Sequence, residues 1–394
     1  MKSKKENLLE FEAVERINET IAYGSCSICN GLFEIELSTG ACKYLSLFPD
    51  EKIDADRLHA KSVKVRNKIY FIPSAANHIA VVNLETDEIE NVELEAVDKD
   101  VYEFYKPRFK FSDGILFKDM LILIPSTYPA IIKLNPRNNE IKYEKSWIPN
   151  KGFFFRKGTY IFENRFYIPS ILDNFVLEYD MQNGRGRQHF IGEKNYGSWS
   201  ICGEEDNMWL IPKCSGAVTY WNPLNGDVKS YDRYPSGFQG NNFLFTKGYI
   251  DGEKLILVPA YANMPVSLSC KTGEMKQIEI FDVGEHTEVG FMFVLDNRYY
   301  LRIINKNKSI DTEYVYIDIK DNRIGRYKFF FKDGKNVFFN EYGNEISMHL
   351  SAKELSLFGL NEFINYIKNR DGAIDEKQLI HNKSNLYQEL LACL

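Results

Sequence analysis

One segment of the chain places a histidine between two carboxylates, the residue types used in general acid–base catalysis. The segment reads Gly284-Glu-His286-Thr-Glu288, so Glu285 and Glu288 flank His286. A histidine that is oriented by a carboxylate can act as a general base. This pattern makes the three side chains candidates for catalysis in a predicted loop.

Two further histidines, His59 and His78, also fall in predicted loops and could join His286 in a cluster. The chain has 6 His, and ordinary loop positions are the alternative interpretation. The sequence shows no HExxH, GxSxG, P-loop or EF-hand pattern. We therefore expect no metal and no cofactor, and we treat a His-based enzyme as the alternative to a binding function.

Three arginines, Arg57, Arg108 and Arg156, occur at similar places in successive segments of the chain. Guanidinium groups arranged around a rim would favour an anionic ligand such as a carboxylate or a phosphate. The alternative is that each arginine is a solvated surface residue or forms an ion pair with its neighbour, which usually contributes little free energy.

The composition limits the class of partner and compartment. The net charge is -6 and the pI about 5.7, which argues against sequence-independent nucleic-acid binding. We find no signal-peptide core and no apolar span long enough to cross a membrane, so we expect a cytoplasmic protein without a membrane partner. Cys26 and Cys29 form a lone CxxC, which without a second ligand pair indicates buried free thiols rather than zinc.

A repeated sequence pattern indicates the fold that must position these residues. An apolar run that ends in proline recurs five times with spacings of 43 to 52 residues, and these runs end at Pro73, Pro125, Pro169, Pro212 and Pro259. Each run is followed by a loop, a second apolar run, a polar turn and a third run. A repeat of this length built from short strands predicts a β-propeller.

Seven polar turns follow the second apolar runs. Their tips lie near residues 40, 87, 139, 184, 226, 273 and 322 and carry Gly, Asn or Asp. These residues tolerate the positive φ that tight hairpins need. We therefore predict seven four-stranded antiparallel blades, labelled A to D from the inner to the outer strand, with six blades as the alternative.

The first blade lacks an obvious innermost strand. We expect residues 337–340 or 345–350 to supply it, so that strands from both termini close the propeller and remove an open edge. The propeller would then span residues 1–350. Residues 351–394 begin with a capping box and continue at helical spacing, which predicts a helical hairpin. The hairpin could brace the propeller, or bind a partner or a second copy.

Over residues 20–350 these repeats resemble the β-propeller superfamily, and the turns look most like those of bacterial kelch-like or antibiotic-lyase-like propellers. The WD, Gly-Gly and Asp-box signatures are absent. The resemblance implies that ligands bind at one end of the propeller, on the B–C loops and the D–A connections. The candidate ligand-binding residues there are Arg57, Arg108, Arg156, Asn77, Tyr128, Asn174, Lys213, Tyr261, Asn263 and Trp199.

These residues combine aromatic, amide and cationic side chains, which suit a pocket that orients a polar ligand on apolar surface. We therefore expect a binding module for a protein, a peptide or a small anionic, glycan-like ligand. The alternative is a lyase or hydrolase that uses a His/carboxylate set at the mouth of the central channel.

Overall fold

The computed structural model describes residues 9–331, apart from residues 53–54, 150–151, 193–196, 214–215, 241–242, 282, 284–286 and 306–310. These residues form seven sheets, and the fold is an all-β, seven-bladed β-propeller of four-stranded antiparallel blades. They fall into two compact units: residues 9–11, 16–58 and 328–331, and residues 12–15 and 59–327.

The first blade has the strand order β1-β2-β3-β4-β29. Its strands are β1 (Phe11–Arg16), β2 (Ile21–Cys26), β3 (Leu32–Glu36), β4 (Ala41–Ser46) and β29 (Phe330–Phe331). The last of these pairs with β4 in parallel and adds a fifth strand to the outer edge of the sheet.

Six further blades follow in chain order, each an antiparallel meander of four strands. Blade two consists of β5 (His59–Val65), β6 (Lys68–Pro73), β7 (Ile79–Asn83) and β8 (Ile89–Val92). Blade three consists of β9 (Phe111–Phe117), β10 (Met120–Pro125), β11 (Ile131–Asn135) and β12 (Glu140–Glu144). Blade four consists of β13 (Tyr160–Phe162), β14 (Arg165–Pro169), β15 (Phe175–Asp180) and β16 (Arg185–Phe190). Blade five consists of β17 (Ser198–Glu204), β18 (Asn207–Pro212), β19 (Val218–Trp221) and β20 (Val228–Tyr231). Blade six consists of β21 (Phe245–Asp251), β22 (Lys254–Pro259), β23 (Val266–Ser269) and β24 (Met275–Gln277). Blade seven consists of β25 (Thr287–Leu295), β26 (Arg298–Asn305), β27 (Asp311–Asp318) and β28 (Arg323–Arg326).

The predicted hairpin tips are confirmed residue by residue. A residue with positive φ stands at each of the seven tips: Gly40, Asp87, Asn139, Gly184, Gly226, Gly273 and Asn322. Left-handed backbone is accessible to glycine at little cost and to Asn and Asp more readily than to other residues. The seven turns therefore predict the number of blades correctly, and the six-blade alternative is wrong.

The proline-terminated runs are the second strands of blades two to six. In β6, β10, β14, β18 and β22 every residue after the first is buried. Their side chains pack into clusters shared by neighbouring blades, as where Ile72 and Tyr70 meet Leu123 and Phe111. Both faces of β10, β14, β18 and β22 pack in clusters shared with neighbouring blades, which explains why these strands are apolar without alternation.

A repeated hydrogen bond follows each of four prolines. The carbonyl oxygen of the next residue accepts a hydrogen bond from a backbone amide of the following blade. These bonds run from Lys110 to Ser74 (3.1 Å), Phe155 to Ser126 (2.9 Å), Ser198 to Ser170 (3.0 Å) and Val289 to Ala260 (2.9 Å). Proline lacks an N–H, so it cannot donate within its own sheet, and each of these second strands ends at that residue.

The innermost strand of the first blade corrects one prediction. The sequence predicts residues 337–340 or 345–350 at this position, whereas among the described residues β1 (Phe11–Arg16) occupies it. Phe11 and Ala13 are buried and Phe11 packs edge-on against Phe33, so the strand meets the same packing requirement as its counterparts. Its charged residues, such as Glu12 and Glu15, hid this strand from sequence reasoning.

Residues 332–394 lie outside the described residues, and so do the predicted closing strands at 337–350 and the predicted helical hairpin at 351–394. The domain boundary at residue 350 stays a prediction. Among residues 9–331, with the gaps given above, no helix is long and apolar enough to cross a bilayer.

The serines that follow the prolines allow a matched test of the contact between blades. The Ser126 hydroxyl donates to the carbonyl of Phe155 at 2.6 Å in a buried position, whereas the Ser74 hydroxyl donates to the carbonyl of Arg108 at 3.0 Å in an exposed one. Ser126→Ala should lower the free energy of unfolding by about 1–2 kcal/mol, because it leaves a buried carbonyl unsatisfied. Ser74→Ala should cost less than about 0.5 kcal/mol. Equal losses in urea denaturation would contradict this assignment.

Candidate functional site

A cavity of about 900 Å³ opens at the loop end of blade five. We call it the loop cleft. It lies among the segments that follow β16, β18 and β20, which are two D–A connections and one B–C loop. Its described lining consists of Ile191, Gly192, Gly197, Ser198, Leu210, Pro212, Lys213, Gly216, Ala217, Thr219, Ser230, Asp232, Tyr234, Phe238, Gln239, Gly240 and Leu244.

One wall of the loop cleft is aromatic. The rings of Tyr234 and Phe238 stack with centroids 4.3 Å apart and planes 10° from parallel. The Tyr234 hydroxyl donates to the carbonyl of Gly216 at 2.9 Å, which ties two of the wall segments together. Both rings also pack with Phe245, so the wall is an apolar group of rings held by a hydrogen bond, which suits contact with another apolar group.

Lys213 is the sequence-predicted residue that lines the loop cleft. Its side chain is buried, and its Nζ donates to the carbonyl of Ile171 at 3.3 Å. Asp232 lines the same cavity, so both signs of charge are present. As a lysine on the lining, Lys213 gives the cleft a basic side chain at which an anionic group could bind.

Two predicted residues hold the wall segments of the cleft through their side-chain amides. Asn174 Nδ2 donates to the carbonyl of Gly192 at 2.9 Å. Asn263 accepts from the backbone amide of Gln239 at 2.9 Å and donates to the carbonyl of Gly237 at 2.9 Å. Both side chains use their polar atoms to hold the wall segments, so here they act on the shape of the site.

Three other predicted residues come together in a row of cation and aromatic rings. The Arg156 guanidinium lies 5.1 Å from the Trp199 ring centroid, Trp199 lies 4.8 Å from Phe243, and Phe243 lies 6.4 Å from Tyr261. These separations are within the range of favourable cation–π and aromatic contacts. We call these four residues the Arg156 row.

The remaining ligand-binding candidates are placed as follows. Tyr128 is buried, stacks on Phe111 at 4.9 Å and donates its hydroxyl to the carbonyl of Glu95, so it belongs to the core. Arg108 and Asn77 are exposed. Arg57 belongs to the first unit, where its backbone has a φ of 50° and its amide donates to Ser27.

The histidine candidates differ in environment. His59 is buried against Phe71, and burial lowers its pKa to about 3, so its imidazole is neutral at pH 7 and is a weak base. His78 Nδ1 lies 3.0 Å from a Glu93 carboxylate oxygen. Glu288 is buried within β25. Glu285 and His286 lie outside the described residues, so their role stays a prediction.

A second, smaller cavity of about 240 Å³ lies among first strands of the blades. We call it the inner-strand cavity. All of its lining residues belong to the larger compact unit. They are Glu12, Val14, Ala60, Lys61, Ser112, Asp113, Lys157, Gly158, Thr159, Ile201, Lys247, Gly248, Phe291, Phe293, Val294 and Tyr299.

Lys157 shows how the inner-strand cavity is held. Its Nζ donates to the carbonyls of Glu12 at 3.2 Å and Met292 at 3.3 Å, and it lies 4.0 Å from the Glu12 carboxylate. Burial lowers the pKa of Lys157 to about 8, and the Glu12 carboxylate opposes this shift. Burial also raises the pKa of Glu15, on the same strand as Glu12, to about 7, against the charges of Lys61 and Lys64.

The charged residues of the inner-strand cavity were not predicted from the sequence, because several of them lie within strands rather than in loops. One signal was available: Lys61, Asp113 and Lys247 interrupt strands that are otherwise suited to burial. Within the described part of the chain, no group of three or more His, Cys, Asp or Glu side chains is arranged to hold a metal ion.

Solved structures with a similar fold include a streptogramin B lyase, at 12% identity over 76% of this chain and 91% of that one, with a TM-score of 0.52. A catalytically inactive virginiamycin B lyase from Staphylococcus aureus with quinupristin matches at 13% identity over 75% and 92%, with a TM-score of 0.52. BamB from Moraxella catarrhalis matches at 12% identity over 73% and 80%, with a TM-score of 0.50. These likenesses support the propeller fold alone.

No protein-family model matches the chain, and a search of curated proteins finds no match. The propeller assignment therefore depends on the blades and on the structural likeness.

The raised pKa of Glu15 predicts a pH dependence of stability. An unfolded glutamate has a pKa of about 4.3, so between about pH 4 and 7 the folded chain keeps a proton that the unfolded chain loses. Stability from this group is therefore lost as the pH rises. Glu15→Gln removes the ionisation and should gain about 1–3 kcal/mol relative to the parent chain between pH 5 and pH 8.

The measurement is urea denaturation of both proteins at each pH. Glu19→Gln, at an exposed position, is the matched control and should show no such trend. A Glu15→Gln difference that does not change with pH would contradict the assignment.

Proposed function

We propose that the chain is a binding module and that its ligand occupies the loop cleft. The observation that carries this proposal is the cavity of about 900 Å³ walled by two D–A connections and one B–C loop. Ligand pockets in proteins commonly have volumes of about 300–1,000 Å³ and combine apolar walls with a few polar groups. The loop cleft has both properties.

The wall chemistry favours a ligand with an apolar or planar body and an anionic group. The Tyr234 and Phe238 rings offer apolar surface, and Lys213 offers a basic side chain. Ser198 and Thr219 add hydroxyl groups along the lining. A short acidic peptide, a protein segment of that kind or an anionic glycan-like molecule would match these features.

The Arg156 row places a second cation beside aromatic rings in this compact unit, where Trp199 and Phe243 are buried. Arg156 and Trp199 combine a cation with an indole ring, as the loop cleft combines Lys213 with the Tyr234 and Phe238 rings. This recurrence supports an anionic ligand. The proposal includes a cytoplasmic location and a partner other than nucleic acid or membrane; the net charge of -6 supports the part that concerns nucleic acid.

Adjacent residues on β20 allow a sharp test of the cleft. Ser230 lines the loop cleft, whereas Lys229 lines a different surface pocket, since neighbouring side chains of a strand point to opposite faces. Both residues are exposed. Ser230→Trp should fill the cleft and weaken ligand binding at least about tenfold, and Lys229→Trp should leave the affinity within about twofold.

The probes are short peptides and oligosaccharides in matched acidic and neutral forms, screened by thermal shift and then measured by calorimetry. Lys213→Gln should weaken binding of the acidic form more than that of the neutral form. A bound probe whose affinity is unchanged by Ser230→Trp would contradict the assignment of the loop cleft as the binding site.

A further inference from the structure

A lysine in the middle of a first strand faces the inner-strand cavity. Lys247 belongs to β21 (Phe245–Asp251), and 9% of its surface is exposed. Its Nζ donates to the carbonyl of Lys157 at 2.6 Å and lies 4.6 Å from the Phe291 ring centroid. The amine is therefore held in one place, with an aromatic face on one side and the cavity beside it.

The surroundings of Lys247 favour its neutral form. Burial lowers its pKa to about 7, and Asp113 opposes this shift. Lys157 and Lys61 add positive charge that lowers the pKa further. The titratable groups that face Lys247 from neighbouring segments are Asp113, Lys157, Cys202, Lys61, Glu12 and Tyr299.

A neutral amine has a lone pair that an ammonium group lacks. Desolvation and a neighbouring cation are the two ways in which proteins activate a lysine as a nucleophile toward carbonyl compounds. Both effects act on Lys247, because its side chain is buried and because Lys157 is the neighbouring cation. The cavity of about 240 Å³ has the volume of about eight water molecules, so it has room for a compound of few heavy atoms.

We propose that Lys247 forms an imine with a small aldehyde or ketone that enters the inner-strand cavity. The nitrogen lone pair attacks the carbonyl carbon, the π electrons move to oxygen, and a proton moves from nitrogen to oxygen to give a carbinolamine. Loss of water then leaves the C=N bond. Amine and carbonyl compound are converted into imine and one water, with no oxidant or reductant.

Asp113 is the group that assists this step. Its carboxylate lines the same cavity and can carry the proton between nitrogen and the departing oxygen. Its Oδ1 accepts from the backbone amide of Gly114 at 2.8 Å, which orients the carboxylate. Among the residues that the structure describes, the inner-strand cavity and the loop cleft have no lining residue in common, so the imine proposal does not depend on the binding proposal.

The test uses the folded full chain with acetaldehyde and sodium cyanoborohydride at pH 7, which converts an imine into a stable N-ethyl group. Digestion and mass spectrometry then give the rate at each lysine. Lys247 should be ethylated at least about tenfold faster than Lys254, an exposed lysine in the same blade. The preference should vanish in guanidinium chloride.

Two variants separate a reactive lysine from a structural one. Lys247→Arg should remove the fast-reacting site and leave the rate at Lys254 unchanged. Asp113→Asn, which can keep the bond to Gly114, should move the half-maximal rate at Lys247 to lower pH, because it removes the negative charge that favours the ammonium form.

Ethylation of Lys247 no faster than that of Lys254 in the folded chain would overturn the proposal. A pH profile at Lys247 that Asp113→Asn leaves unchanged would overturn the role of Asp113.

Discussion

The hydrogen bond that follows the proline of a second strand is the interaction on which the rest of this fold depends. Within a blade, Pro125 ends the ladder of β10, and one residue later Ser126 bonds to Phe155 of the next blade through both its carbonyl and its hydroxyl. Apolar packing between sheets is non-directional, so alone it would allow neighbouring blades to slide. A backbone bond at a fixed residue sets their relation at the loop end, where the loop cleft opens.

Residue types with strict backbone requirements explain which parts of the fold could be predicted. Turn residues such as Gly226 and Asn322 have a positive φ that few residue types tolerate, so they mark hairpins in the sequence. Proline is the last residue of β18 and β22, so it marks the ends of these strands in the sequence. The strand β1 was missed because packing on neighbouring sheets, rather than a local pattern, makes its charged segment a strand.

The site was predicted less completely than the fold. The loop end was chosen from resemblance, and Lys213, Asn174 and Asn263 do lie in or behind a cavity there. Their separate roles depend on which atoms face the cavity and which bond to backbone, and spacing does not encode this. Tyr128 illustrates the limit, since a residue in the loop between β10 and β11 can point into the core as readily as outward. Lys247 shows the converse, because its chemistry arises from burial beside Lys157, a residue distant in sequence.

The first residue of the B–C loops at Ser74, Ser126, Ser170 and Ala260 is already fastened to the neighbouring blade. The chain beyond that residue can lengthen, shorten or change composition while the strands before it keep their register. In each B–C loop, the first residue therefore keeps the contact with the next blade, and the residues after it are the ones that can change. A lineage of such chains can explore new ligands by altering a few loop positions, and a protein engineer can graft a loop there, with the scaffold intact in both cases.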